Sequence, residues 1–304
     1  MRYRINNGDS INDILKKVND NDEIYISNGI YKEKIEILKN NITIVGESKE
    51  NVIITNHDFS NKIMEDNNEC NTFRTYTMLI YGNNVKISNL TIENSSIPSN
   101  KYGQAVALHV LGNDFLADNI ILRSAQDTLF TGPLPYDLTI RYKGFLKDYQ
   151  LEYKKSHQVY KNSTIIGDVD FIFGSAQALF YNCQIVSISN GYVAAPSHAS
   201  DDKYGYLFYK CDLIKGNDNV FNVFLARPWR DYGTSAFIDC NIDNHINLLG
   251  FNKWNNTQRD KTARFYEYNK NINLSKREPW VNILNDKEKD EYIKGFLKEI
   301  NYEL

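Results

Sequence analysis

The segment HQVYKNSTII, residues 157–166, is a short run of alternating apolar residues, a small polar residue at Asn162, and a second short β-like run. The same pattern recurs as VKISNLTI about Asn89, DFLADNIIL about Asn119, ALFYNCQIV about Cys183, YLFYKCDLI about Cys211 and SAFIDCNI about Cys240. The marked residues lie 30, 43, 21, 28 and 29 positions apart. A fainter copy, NNITIVG, stands at Asn41. Short β-rich units at such a period, with no helical periodicity between them, predict a solenoid in which each turn pairs only with its neighbours. The expected fold is all-β: a right-handed parallel β-helix, as one domain over residues 1–304. Positions of equal phase then stack at about 4.8 Å along the axis, where small residues and amide ladders fill a column.

Working outward, Cys183, Cys211 and Cys240 read as core residues of that column, since a free cysteine packs as a small hydrophobe. With Cys70 they form no C-x-x-C pair and have no histidine at metal-ligand spacing, so neither a metal site nor a disulfide framework is expected. The ends of a solenoid need caps. Ser10 can N-cap a helix carrying Ile11, Ile14, Leu15 and Val18 on one face, and Asn285 and Asp286 precede a second with Tyr292, Ile293, Phe296, Leu297 and Ile300. Both are expected as short capping helices. The stretch from Gly132 to His157, with Pro133 and Pro135, breaks the repeat and predicts an excursion bordering a cleft.

The composition, 42% hydrophobic with 21 Tyr and 15 Phe, supports a packed core and suits carbohydrate stacking. A net charge of −3 with scattered basic residues marks no nucleic-acid or anionic-membrane surface. The polar start, Met1 to Ser10, and the lack of a long apolar stretch predict a soluble, cytoplasmic chain, or a secreted one if a leader had been removed.

The repeat also relates two acids. Asp127 lies eight residues after Asn119, and Asp170 eight residues after Asn162. With the excursion absorbing the longer gap, adjacent coils bring these carboxylates together, about 5 Å apart at the backbone. Two such acids do not ionise independently, so one is kept as a proton donor beside an ionised partner. A lone aspartate in a solenoid is more often a turn residue; the neighbouring Gln126-Asp127-Thr128-Leu129 and the segment Gly167–Gly174, GDVDFIFG, argue for chemistry instead.

These segments resemble the signature motifs of the pectin methylesterase family, as do Gly29–Glu33 (GIYKE), Gly103–Leu108 (GQAVAL), Leu225–Trp229 (LARPW) and Thr262–Tyr268 (TARFYEY), all in the family's order. The resemblance runs from about Gly29 to Tyr268. It implies that Asp170 is the nucleophile on a galacturonate methyl ester, Asp127 the acid and then the base, and Gln104 and Gln126 the oxyanion donors. It further implies that Arg227 holds Asp170 and that Trp229 and Phe171 contact sugar rings. Asp168, Ala226, His109 and Phe251 depart from the commonest family pattern. Asp168, as a third acid near the pair, would either move the pH optimum or bias the enzyme against de-esterified neighbouring units.

No cofactor and no metal are implied. The expected partner is methylated galacturonan or oligogalacturonate, the chain acting as a monomer in pectin degradation and cell-wall modification. There is no G-x-S-x-G elbow and no H-E-x-x-H pair among the histidines, which disfavours a serine hydrolase or zinc enzyme. The motifs of pectin lyases and polygalacturonases are not visible. A family esterase turned to another ester or thioester, and a non-catalytic carbohydrate-binding solenoid, are the alternatives.

Overall fold

Each apolar run of the repeat forms a strand of three to five residues that pairs in parallel with the run one coil away. In the computed structural model, which describes residues 1–304, these strands build an 11-stranded sheet along one flank and a branched 13-stranded sheet on the others. The chain is a parallel β-helix. Its register is continuous: Asp118 pairs with Lys161, Lys161 with Tyr181, Tyr181 with Tyr209 and Tyr209 with Ile238.

One step beyond that row the chain turns a corner through Asn89, Asn119, Asn162, Asn182, Lys210 and Asp239, all left-handed with φ between +51° and +55°. Asparagine and aspartate tolerate this region better than other residues with a Cβ. Their side chains form ladders between coils: Asn119 Nδ2 donates to Asn89 Oδ1 and Asn182 Nδ2 to Asn162 Oδ1, each at 2.8 Å.

This corrects the phase of the repeat by one residue. Cys183, Cys211 and Cys240 are not in the asparagine column; they follow it, in phase with Leu90, Ile120 and Ser163, and point inward. Their thiols donate to the backbone carbonyls of Tyr160, Phe180 and Phe208 at 3.2–3.4 Å. A slip of one residue exchanges inside for outside. Asn41 is likewise out of phase. It belongs to an earlier corner with Asn84, whose Nδ2 donates to Asn41 Oδ1 at 2.8 Å. The residue in phase with Asn89 is Gly46, where a Cβ would stand 2.0 Å from the Asn89 carbonyl oxygen, so no other residue fits without a backbone shift.

Interior side chains repeat with the coil. Phe180, Phe208 and Phe237 stack with centroids 4.6 and 4.3 Å apart and planes within 10°. The spacing is that of neighbouring strands, which imposes stacking where isolated rings favour tilted pairs.

At the N-terminal end the helix Ile11–Leu15 buries Ile11 against this core, with Val18 just beyond it. Ser10 Oγ caps it, and the Glu33 carboxylate accepts from the N–H groups of Ile11 and Asn12 at 2.7 and 3.0 Å. The second helix, Asp286–Glu299, starts with the expected Asn285 cap, and the Asn285 N–H donates in return to the Glu288 carboxylate. It covers the C-terminal coils from the side: Phe296 and Ile300 pack on Leu179, Leu207, Ala236 and Ile238, the outward residues of the first sheet. The axis at that end meets Phe251, Phe265 and Trp280 instead.

The break after Gly132 carries the helix Tyr136–Arg141 and folds back on the wall, with Leu134, Leu138 and Leu146 packed against Phe73 and Phe130. No helix is long and apolar enough to cross a membrane.

Candidate active site

Thr164–Gly174 pairs first with Ile121–Arg123 and then with Leu129–Thr131. Between these stretches Asp170 stands one coil from Asp127, whose N–H donates to the Val169 carbonyl at 3.1 Å. The equal spacing from the asparagine corner therefore puts both acids on one wall. Both residues are left-handed, φ +65° for Asp127 and +50° for Asp170, and both are 7% exposed. A non-glycine residue in that region carries a cost of about 1 kcal/mol, and two stacked acids sharing it form a local kink facing a cleft.

The acids have different partners. Arg227, 57 residues beyond Asp170, donates from Nε to Oδ1 at 2.8 Å and from Nη2 to Oδ2 at 2.6 Å. Its guanidinium lies 3.8 Å from the Tyr192 ring centre and 3.9 Å from that of Trp254, so both of its faces are covered. Such a two-point, stacked arginine presents a fixed fork. No side-chain group of the protein bonds to the Asp127 carboxyl.

Burial pushes the Asp127 carboxyl well above the usual carboxylate range, the Asp170 charge adds to this, and Arg227 only partly opposes it. Burial also raises Asp170, but the bonds from Arg227 work directly against that shift. The two surroundings thus favour the proton on Asp127 and the charge on Asp170.

Gln126 precedes Asp127 on the same coil and Gln104 stands one coil earlier, the two linked by a parallel bridge, and both line the cleft. Ser60 Oγ donates to Gln104 Oε1 at 2.8 Å, which leaves the Gln104 amide N–H end unpaired. The cleft has a volume of about 400 Å³. Its walls add Phe73, Phe173, Trp229 and Trp254, with Leu138, Arg141 and Tyr142 from the excursion, as expected of that segment.

Of the site residues expected from sequence, Asp127, Asp170, Gln104, Gln126, Arg227 and Trp229 converge here. Phe171 does not. It is fully buried in the coil interior against the Gly167 backbone, where no sugar can reach it: the left-handed kink at Asp170 interrupts the strand alternation, and Phe171 and Ile172 both point inward. Phe173, two positions on, is the aromatic that faces the cleft. Phe171→Ala is accordingly expected to lower stability by roughly 3–5 kcal/mol, as for other buried aromatics, seen as a drop in the denaturant midpoint; an unchanged midpoint with weakened substrate binding would contradict the interior placement.

Ser60, Phe73, Tyr142, Tyr192 and Trp254 were not singled out by the sequence. Tyr142 carried a signal only as an aromatic within the excursion; the others belong to no repeat.

A family model for pectinesterase matches residues 4–133 and 135–297. The chain belongs to the pectinesterase family. It is 30% identical over 280 residues to Pectinesterase 31 of Arabidopsis thaliana, covering 89% of this chain and 80% of that protein. Against Pectinesterase QRT1 of the same plant it is 28% identical, covering 86% of this chain and 65% of that relative. A pectin methylesterase in complex with hexasaccharide VII superposes with a TM-score of 0.75 at 25% identity, covering 93% and 90% of the two chains. PemA from Erwinia chrysanthemi, 24% identical with a TM-score of 0.77 over 96% of this chain and 94% of its own, shares the fold.

Within this pectinesterase framework the unusual residues find places. His109 is buried among Phe73, Tyr76 and Phe130 with neither ring nitrogen bonded, and burial pushes its pKa down to about 3, so it stays neutral. Phe251 and Ala226 are core residues. Asp168 accepts from Ser99 Oγ at 2.5 Å and from the Val169 N–H at 2.6 Å, and it is not part of the cleft wall.

Proposed function

We propose that this pectinesterase family member hydrolyses the methyl esters of galacturonate units in pectin or methylated oligogalacturonates, acting as a monomer and as one domain over residues 1–304. The observation that carries this reading is the asymmetric acid pair: Asp170 gripped at both oxygens by Arg227, Asp127 buried beside it without a partner. An ionised nucleophile and a protonated acid stand side by side.

In the proposed sequence an Asp170 oxygen attacks the ester carbonyl carbon. The amide N–H groups of Gln126 and Gln104 receive the negative oxygen of the tetrahedral intermediate. Its collapse breaks the bond to the methoxy oxygen, which takes the Asp127 proton and leaves as methanol, while the galacturonyl group remains joined to Asp170 as an anhydride. Asp127, now ionised, draws a proton from a water molecule that attacks the galacturonyl carbonyl. The galacturonic acid departs and loses its proton to solvent, Asp170 regains its charge, and Asp127 is again protonated. Trp229 offers a flat apolar face to a neighbouring ring.

The test is methanol release from methylated oligogalacturonates of defined length. Methanol and acid should appear in equal amounts with no change in chain length. Cleaved chains, or no methanol, would reject the reading.

A further inference from the structure

The cleft contains three arginines, and two of them have carboxylate partners. Arg227 is engaged by Asp170, while Arg230 donates to Asp137 on the excursion helix at 2.9 and 3.3 Å. Arg141, at the end of the helix Tyr136–Arg141, makes no ion pair and no side-chain hydrogen bond; its only charged contact is with the face of Tyr142, 5.4 Å from the ring centre. Among the residues that line the cleft, with Asp127 protonated, the paired charges cancel and the one unpaired charge is positive, carried by an exposed side chain at the rim, while the Asp168 charge lies behind the two acids. Asp168, the acid that would have repelled charged neighbours, is bonded to Ser99 outside the cleft wall. The rim and the floor of the site thus carry opposite unpaired charges.

We propose that Arg141 is a specificity-determining residue that receives the free carboxylate of a galacturonate unit adjacent to the esterified one. A planar fork with five N–H donors matches a carboxylate at two points and has no such match in a neutral methyl ester. The excursion that supplies Arg141 is anchored to the wall by Leu134, Leu138 and Leu146 and across the cleft by the Asp137–Arg230 pair. The backbone that carries Arg141 is therefore held at a set place relative to Asp170, while its exposed side chain is free to meet a ligand. Because the pairing is exposed, salt will weaken it.

This inference rests on the esterase reading, and its test separates the two. Two methylated oligogalacturonates of equal length are compared, one fully esterified and one with a single free carboxylate next to an ester, by the ratio of kcat/KM for methanol release. The ratio is insensitive to the fraction of folded enzyme. The unaltered protein should favour the partly free oligomer roughly two- to fivefold at low salt, the range of an exposed ion pair. Arg141→Ala should bring the ratio near one, and Arg141→Glu should reverse it. A ratio near one in the unaltered protein, or one that survives Arg141→Glu, overturns the role of Arg141 while leaving the esterase reading standing. No methanol from either oligomer overturns both.

Discussion

Replacing Asp170 by alanine is expected to lower methanol release by roughly 10⁴-fold or more, the scale on which removal of a covalent nucleophile acts. Nothing else in the cleft can take its place: Asp127 lacks the arginine that holds a carboxylate ionised, and Asp168 is bonded away from the cleft. The substitution also leaves the Arg227 guanidinium without its partner between Tyr192 and Trp254. Breaking a buried ion pair from one side costs about 3–5 kcal/mol. Here 14% of the arginine side chain remains exposed, so water can replace the lost acceptor and the cost should fall at or below the low end of that range. Oligogalacturonate binding should persist, and the freed arginine should favour the acid product. Calorimetric titration with methylated and de-esterified oligomers measures both. Turnover close to that of the unaltered protein would eliminate Asp170 as nucleophile.

Asp127→Asn removes the proton donor while keeping size and shape. Loss of general acid–base assistance typically costs 10²- to 10⁴-fold, and methoxide is a poor leaving group, so a decrease toward the larger figure is expected. The pH profile carries the sharper signature. Asp170 must be ionised, and its pKa lies above the ordinary 3.8 because burial outweighs Arg227, so the rate should fall as pH drops through that raised value. Asp127 must hold its proton for the first half-reaction. Its pKa is raised further, by burial and by the Asp170 charge, so the rate should fall as pH rises through it. The unaltered protein should thus show a bell-shaped profile, and Asp127→Asn should lose the alkaline limb and keep the acid one. An alkaline limb that stays in place in the variant would assign it to another group.

The two substitutions probe an asymmetry that arises from backbone geometry. Stacked left-handed corners place two acids face to face, where neither could be stable as an isolated anion. A single arginine from two coils further on then decides which of them carries the charge. The glutamines follow the same rule, since coil pairing alone sets Gln104 against Gln126, and Ser60 then orients one of the amides.

How much of this was legible depended on whether a residue lay inside a coil. The offset of eight residues from Asn119 and Asn162 sufficed to align Asp127 with Asp170, because equal offsets on paired strands remain equal in space. Small errors of phase had large effects. Grouping Cys183 with Asn162 misassigned a corner that belongs to Asn182, since a polar corner residue and the small residue after it look alike in a string. Phe171 was placed on the sugar side by family likeness, although the left-handed kink at Asp170 breaks the alternation and turns both Phe171 and Ile172 inward.

The sequence by itself determined the coil repeat, the parallel pairing of neighbouring coils and the adjacency of the two acids, because in a solenoid these depend on nearest-neighbour patterns written in one short period. Only the tertiary structure decided that Arg227 grips both oxygens of Asp170, that Tyr192 and Trp254 clasp it, that Ser60 orients Gln104, and that Arg141 is left unpaired at the rim. Those contacts join excursions and strand ends tens of residues apart, where packing against the finished wall, rather than any period in the chain, sets the distance.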